Sequence, residues 1–297
     1  MTREEPARTG GLPAAIGAYL IWGLLPLYLL LLRHVPAFEL VGWRVIFTVP
    51  VCLLIVVASR QGTQLRAAIG NPRALAMLTA SAAIIGINWV TYFFAIQGGH
   101  VFAASLGYYI NPLVNVLAGT VFLKERLSRM QWVAVGIAAI GVSLLAWGAR
   151  ETLGISLALA ISFAAYGLIR KLAPVESLPG LTIESLVLLL PASAIVGWYA
   201  MQPAGSNFGH GPGNDALIAS SGVITAAPLL LFAAAARRMS YSALGFVQYL
   251  APTIVFLLGV FVFGEPLRTV QLVCFLFIWT AIVLFSWDLW SRRKSKR

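Results

Sequence analysis

Apolar runs of about 20 residues recur along almost the whole chain, and this pattern constrains the fold more than any other feature. A run of this length crosses the hydrocarbon core of a bilayer as an α-helix. The 297 residues are 60% hydrophobic and only 10% charged, which is too apolar for a water-soluble domain. We therefore predict an all-α integral membrane protein. Ten transmembrane helices are expected at residues 13–32, 37–58, 74–96, 100–123, 130–147, 153–170, 181–201, 216–236, 240–263 and 270–290.

The basic residues lie between the apolar runs and do not form a patch, although the net charge is +11. Lys and Arg accumulate in the cytoplasmic loops of membrane proteins. With the N-terminus inside, 17 of the 21 Lys and Arg residues fall in inner segments and three in outer ones, while Arg44 lies within a helix. The sequence thus predicts a multi-pass protein of the cytoplasmic membrane with both termini inside. Its expected partner is the lipid bilayer and not nucleic acid, and its oligomeric state stays open.

The fourth and ninth predicted helices resemble each other when the sequence is shifted by 140 positions. Eight residues are identical over 25 ungapped positions, including Tyr109 with Tyr249 and Pro112 with Pro252. This echo indicates an internal duplication. Five spans in each copy would place the copies antiparallel, and such inverted repeats are typical of alternating-access carriers. We divide the chain into a cytoplasmic tail, two five-helix repeats and a basic cytoplasmic tail, at residues 1–12, 13–147, 153–290 and 291–297.

Several short motifs resemble the EamA branch of the drug/metabolite transporter superfamily, and within it the RarD-like proteins. They include Trp22 with Gly23, Glu39 with Arg44, and Asn88 with Trp89, together with residues 26–28, 105–113, 122–127, 167–171, 180–184, 228–232 and 245–252. The likeness covers nearly the whole chain, and Trp43 departs from it because many relatives carry His there. The resemblance implies ten helices around a central cavity and export of small metabolites or drugs across the cytoplasmic membrane. It does not fix a substrate.

Arg44 is the least expected residue within a predicted span. An arginine at the centre of a membrane helix costs roughly 2.5–3.5 kcal/mol on insertion scales, so its side chain should face protein or water. Arg44 could anchor an anionic group of the substrate or act in a gate. It could equally snorkel or pair with Glu39, five residues earlier.

The other candidates for substrate binding are aromatic and amide side chains within the predicted helices. Amides often bridge membrane helices, and aromatic walls suit amphipathic ligands but also serve packing. The spacing leaves open which of Tyr108 and Tyr109 faces a cavity. With Arg44, the candidate set comprises Trp22, Asn88, Tyr92, Tyr108, Asn111, Tyr166, Gln248 and Tyr249.

Prolines and carboxylates within the spans suggest moving parts. A proline removes a backbone hydrogen bond and bends a helix, so we interpret Pro50, Pro112, Pro191 and Pro252 as candidate hinges or gates. Glu39 and Glu184 are the candidates for proton coupling, because they are the acidic residues next to membrane-embedded segments.

Enzymatic motifs are missing from the sequence. It contains no phosphate-binding loop, no HExxH zinc motif and no GxSxG elbow, so we expect no enzyme, no cofactor and no metal site. The sequence favours a secondary transporter that exports small organic molecules by alternating access through a central cavity. The alternatives are a passive channel or facilitator and, less favoured, an integral-membrane enzyme.

Overall fold

The computed structural model describes residues 9–147, 150–264, 266–267 and 269–295, and the regular structure in these ranges is helical. Glu265, Arg268 and the tail residues 1–8 and 296–297 lie outside the described residues. The α-helices are, in order, α1 Leu12–Leu31, α2 Ala37–Ala58, α3 Gly62–Ile69, α4 Pro72–Gln97, α5 Val101–Val121, α6 Arg129–Trp147, α7 Leu153–Leu172, α8 Ser177–Ala200, α9 Pro212–Arg238, α10 Tyr241–Gln248, α11 Leu250–Phe261 and α12 Thr269–Ser295.

Nine segments of the described chain are long and apolar enough to cross a membrane, with α10 and α11 counted together as one. The 21-residue helix α5 is not among them. Its sequence includes two amides, Asn111 and Asn115, and two adjacent tyrosines. A multi-pass, all-helical membrane protein is therefore confirmed.

Two local features differ from the sequence prediction. The single helix expected over residues 240–263 is divided, because α10 ends at Gln248 and α11 begins at Leu250. Pro252 has no N–H, and its ring would clash with the carbonyl group four residues earlier, so the helix is weakened at this point. The short helix α3, Gly62–Ile69, was not predicted.

The helices pack in a reciprocal pattern. Helix α2 packs against α8, α5 against α10, and α6 against α12. Helix α4 contacts α7 and α8, and in the same way α9 contacts α1 and α2. Helix α5 also contacts α7, while α11 contacts α1. Helices α2, α4, α7, α8 and α9 thereby surround the centre of the molecule.

Glycines allow the central helices to approach closely. A Cβ atom at Gly222 of α9 would overlap the backbone of Phe47 in α2. A Cβ atom at Gly42 of α2 would lie 3.1 Å from the carbonyl oxygen of Ala192 in α8. Small residues play this role in membrane interfaces because packing, not the hydrophobic effect, drives helix association there. Helix α2 is thus held against both α8 and α9.

We expect Gly222→Ala to destabilise the protein, because the overlap with Phe47 involves backbone atoms that cannot rotate away. Overpacking of this kind typically costs about 1–3 kcal/mol. The thermal unfolding midpoint of the purified protein should fall by several degrees. Gly136→Ala is the matched control, because a Cβ atom at Gly136 meets nothing within 4 Å. Equal midpoints for the two variants would contradict the close approach of α2 and α9.

Candidate functional site

Arg44 of α2 lies in a neutral, largely aromatic environment. Its Nε donates a hydrogen bond to Thr225 Oγ1 at 2.9 Å, and its guanidinium carbon lies 5.8 Å from the centre of the Trp89 ring. Tyr28 of α1, Tyr92 of α4 and Tyr108 of α5 are close enough to interact electrostatically with the guanidinium. Among the described residues, no carboxylate lies within 4 Å of Arg44. The charge is therefore solvated by dipoles and π-systems instead of a counter-ion.

A narrow cavity lies beside this arginine. It has room for about one water molecule. Two of the groups that contact Arg44, Trp89 and Thr225, line it, and Glu184 and Tyr166 line it as well. The full lining comprises Val45, Thr48, Ile85, Trp89, Tyr166, Leu181, Glu184, Ser185, Leu188, Thr225 and Leu229. Helices from both halves of the sequence thus form one cavity, mainly apolar with a few polar groups, which is nearly closed in this conformation.

Glu184 is buried and paired with Arg170. Its carboxylate oxygen lies 3.6 Å from Arg170 Nε, and the two side chains are 3% and 1% exposed. Ser81 donates a hydrogen bond to the same oxygen, and the Tyr166 hydroxyl donates to the other at 3.4 Å. Arg170 Nη2 donates to the carbonyl oxygen of Ser177 at 2.9 Å, while Nε and Nη1 form no hydrogen bond within the described chain. This pair places compensating charges against one side of the cavity.

Sequence reasoning missed Arg170. Beside Lys171 in the last turn of α7 it reads as a topology signal, and no local pattern separates the two residues. Gly180 is a sequence feature related to the position of Arg170, because any side chain at residue 180 would collide with the Arg170 guanidinium. Thr225 was also missed, although it continues a face of small residues with Ser221 and Gly222.

The candidate amides bond mainly to one another and to the backbone. Asn115 Nδ2 donates to Gln248 Oε1 at 2.7 Å, and Gln248 Nε2 donates to Asn111 Oδ1. Asn111 Nδ2 also donates to the carbonyl oxygen of Ala160 at 2.6 Å. Asn88 Nδ2 donates to Ser162 Oγ at 2.8 Å, joining α4 to α7. Substrate binding by Asn88, Asn111 and Gln248 stays a prediction, and their observed contacts are between helices.

The candidate aromatic residues separate into three places. Trp22 and Tyr166 belong to one cluster, in which each ring packs against Phe232, at centroid distances of 5.7 and 6.0 Å. Tyr92 and Tyr108 form an edge-to-face pair at 6.1 Å near Arg44.

The third place is on the far side of α5. Tyr109 packs against Phe275 of α12, with ring centroids 5.5 Å apart, so the two adjacent tyrosines diverge as successive helical residues must. Tyr249 is fully buried, and its ring lies 6.2 Å from that of Phe246. Of the two adjacent tyrosines, Tyr108 is the one that faces Arg44.

The four candidate hinge prolines occupy different helical settings. Pro50, Pro112 and Pro191 lie inside α2, α5 and α8, which continue past them. Pro252 is the third residue of α11 and follows the break at Tyr249. Motion at these four positions stays a prediction.

Glu39 fastens the loop between α8 and α9 to the start of α2. Its carboxylate accepts hydrogen bonds from Ser206 Oγ at 2.6 Å, from the Asn207 backbone N–H at 2.7 Å and from Asn207 Nδ2 at 2.8 Å. In the same loop Phe208 packs against Trp43, with centroids 4.6 Å apart. Glu39 therefore does not pair with Arg44, and it does not line the narrow cavity.

We expect Glu184→Gln to destabilise the fold strongly, because it leaves Arg170 buried without a counter-ion. Loss of one partner of a buried pair costs about 3–5 kcal/mol. Glu176→Gln is the control, because Glu176 pairs with Arg237 at 3.1 Å on the surface, where an ion pair contributes about 0–1 kcal/mol. Thermal unfolding of the purified variants measures the difference. A Glu184→Gln midpoint as high as that of the control would show that the pair is not needed for stability.

We expect Glu39→Ala to release residues 206–209, because several hydrogen bonds to one carboxylate hold them. Hydrogen bonds to a charged group contribute about 1.5–3 kcal/mol, so amide exchange there should accelerate about tenfold or more. Hydrogen–deuterium exchange measures the change, and substitution of the exposed Glu151 by Ala serves as the control. An unchanged amide exchange rate at Asn207 would show that the Glu39 carboxylate does not hold this loop in place.

Comparisons with known proteins point in one direction. The model of the EamA-like transporter family matches residues 9–147. An uncharacterized transporter of Pseudomonas aeruginosa is 41% identical over 280 residues, covering 94% of each chain. Protein RarD of Escherichia coli is 40% identical over 289 residues, covering 97% of each chain. One solved crystal structure superposes with a TM-score of 0.72 at 18% identity, covering 94% of this chain and 98% of the other, and it supports the fold alone.

Proposed function

This chain belongs to the EamA-like transporter family as a RarD-like member, and from that premise we propose that it is a secondary transporter that exports small organic molecules by alternating access. Membership of the family and several membrane-spanning helices make it a multi-pass membrane transporter. Export, the alternating-access mechanism and residence in the cytoplasmic membrane are our proposal. The names of its relatives point to transport and not to enzymatic catalysis.

We place ten spans in the bilayer, with α5 as the tenth. Its polar side chains do not argue against this placement, because Asn111 and Asn115 are buried and their side-chain N–H groups donate hydrogen bonds to Ala160 and Gln248. A polar group within a membrane is tolerated when protein atoms satisfy it. Ten spans and the distribution of Lys and Arg support cytoplasmic positions for both termini.

The reciprocal packing supports two inverted repeats. If α1, α2, α4, α5 and α6 correspond to α7, α8, α9, α10 with α11, and α12, each principal contact has a counterpart. The contact of α4 with α7 then corresponds to that of α9 with α1, and the contacts of α2 with α8, α5 with α10 and α6 with α12 join equivalent helices. A two-fold relation of this kind is what alternating exposure of one central site requires.

One end of the α5–α10 contact is fastened by Glu125. Its carboxylate accepts hydrogen bonds from the backbone N–H groups of Tyr241 and Ser242, at 2.6 and 2.9 Å, and from Ser242 Oγ at 2.7 Å. A carboxylate stabilises a helix N-terminus, and here it joins the segment after α5 in one half to the start of α10 in the other. We assign this contact to a closed inner gate.

The observation that carries the proposal is the cavity formed by helices of both halves, which includes the buried carboxylate of Glu184. A cavity with room for about one water molecule is not an open pore, which favours a carrier over the channel alternative. An organic substrate enters only after the helices separate. Of the two carboxylates proposed for proton coupling, Glu184 lines this cavity and Glu39 does not, so we assign coupling to Glu184.

Metabolite profiling of cells with and without the protein, followed by counterflow in proteoliposomes with and without a pH gradient, tests this function. In a background without Cys52 and Cys274, cysteines at Glu125 and Ser242 should crosslink on oxidation and abolish transport, and reductant should restore it. The two single-cysteine variants are the controls. Full counterflow in the crosslinked protein would contradict alternating access through this gate.

A further inference from the structure

The charged groups around the central cavity do not cancel. Glu184 lines the cavity and is paired with Arg170, so these two together contribute no net charge. Arg44 contacts two cavity-lining residues, Trp89 and Thr225, and no described carboxylate lies within 4 Å of it. The cavity together with the adjacent Arg44 therefore carries one excess positive charge. An uncompensated cation within a membrane protein is costly and marks a functional position.

We propose that the substrate of this transporter is an organic monoanion with a flat apolar body, bound through its carboxylate or an equivalent anionic group at Arg44. The inference rests on the proposed function and names the class of substrate for the same site. A single excess positive charge is neutralised by a single negative charge, so a monoanion leaves the occupied cavity without net charge.

The geometry of Arg44 suits such an anion. The bond from Nε to Thr225 orients the planar guanidinium and occupies one of its five donors. The two Nη groups supply the remaining four N–H donors, and paired donors of this kind bind a carboxylate in a bidentate manner. Thr225 is itself 2% exposed, which fixes this orientation within the packed helices.

The surroundings of Arg44 suit an organic body more than an inorganic ion. Trp89 presents its ring to the guanidinium, and Tyr92 and Tyr108 form a wall on α4 and α5. Tyr108 is 51% exposed, so its ring is free to contact a ligand. Aromatic side chains offer large, rigid contact areas to a flat apolar group. Inorganic phosphate would satisfy the guanidinium and leave these rings unused.

Matched pairs of small aromatic acids and their uncharged amides test the proposal. The probes are phenylacetate with phenylacetamide, 2-naphthoate with 2-naphthamide, and 4-biphenylcarboxylate with its carboxamide. Calorimetry on the purified protein in nanodiscs measures their binding. In at least one pair the acid should bind at least tenfold more tightly than the amide, and inorganic phosphate should not displace it at equal concentration.

Arg44→Gln should remove this preference, because the affinity for the acid should fall at least tenfold while the affinity for the amide stays unchanged. Arg44→Lys keeps the charge without the fork of donors and should retain an intermediate preference. Arg66→Gln removes an exposed charge outside the cavity and should behave as the unmodified protein does. The comparison of acid with amide on the unmodified protein decides the matter even where Arg44→Gln fails to fold.

The proposal is overturned when no pair shows a preference for the acid, whether because the amides bind equally well or because no acid binds. It is also overturned when phosphate competes as well as the acids do. Metabolite profiling could instead identify a neutral or cationic compound that is exchanged in counterflow. This result would support the transport function and contradict the anionic substrate class. Acids that bind at Arg44 but are never transported across the membrane would support the binding site and contradict the transport function.

Discussion

The hydrocarbon core of a bilayer holds no water, so each charged side chain within it must be solvated by the protein itself. This chain meets that constraint in two ways. Arg170 and Glu184 neutralise each other inside the helix bundle, with Ser81 and Tyr166 completing the shell of the carboxylate. Among the described residues, the Arg44 side chain has Thr225 and aromatic rings as its partners. The first solution stabilises the fold, and the second leaves a charge free to recognise a substrate.

Close packing of the central helices controls the space around these charges. Gly42 and Gly222 let α2 approach α8 and α9, so little room remains between Trp89, Thr225 and Glu184. The amides of Asn111, Asn115 and Gln248 join α5 to α10 nearby. Because these contacts join helices from the two halves of the sequence, relative motion of the halves would both open the cavity and rearrange the amides.

Sequence patterns predicted the bounds of the long helices well, because the length and apolarity of a run indicate a membrane helix directly. The helix observed at Ala37–Ala58 coincides with its predicted bounds, and most others differ by a few residues. The break at Tyr249 was not predicted, although Pro252 signalled a bend near it. A proline reports a weakened helix, but only the tertiary contacts decide whether the helix bends or divides.

Some residues of the candidate site could also be predicted from the sequence. Arg44 and Glu184 stood out because charges are rare in spans, whereas Arg170 resembled an ordinary residue of a cytoplasmic helix end. Its partner lies on another helix, and single-sequence spacing does not report contacts between helices. For the same reason the sequence did not reveal the partners of Glu39. Its carboxylate binds Ser206 and Asn207 of the loop and does not pair with Arg44.

The central claim is that the two halves expose one cavity alternately. Spin-label distances in nanodiscs test it most directly, with one label pair at the exposed positions Arg126 and Arg238 and another at His100 and His210. The account predicts two distances for each pair, with substrate or pH shifting the populations in opposite directions at the two ends. A single distance for each pair under all conditions, or parallel shifts at both ends, would contradict it.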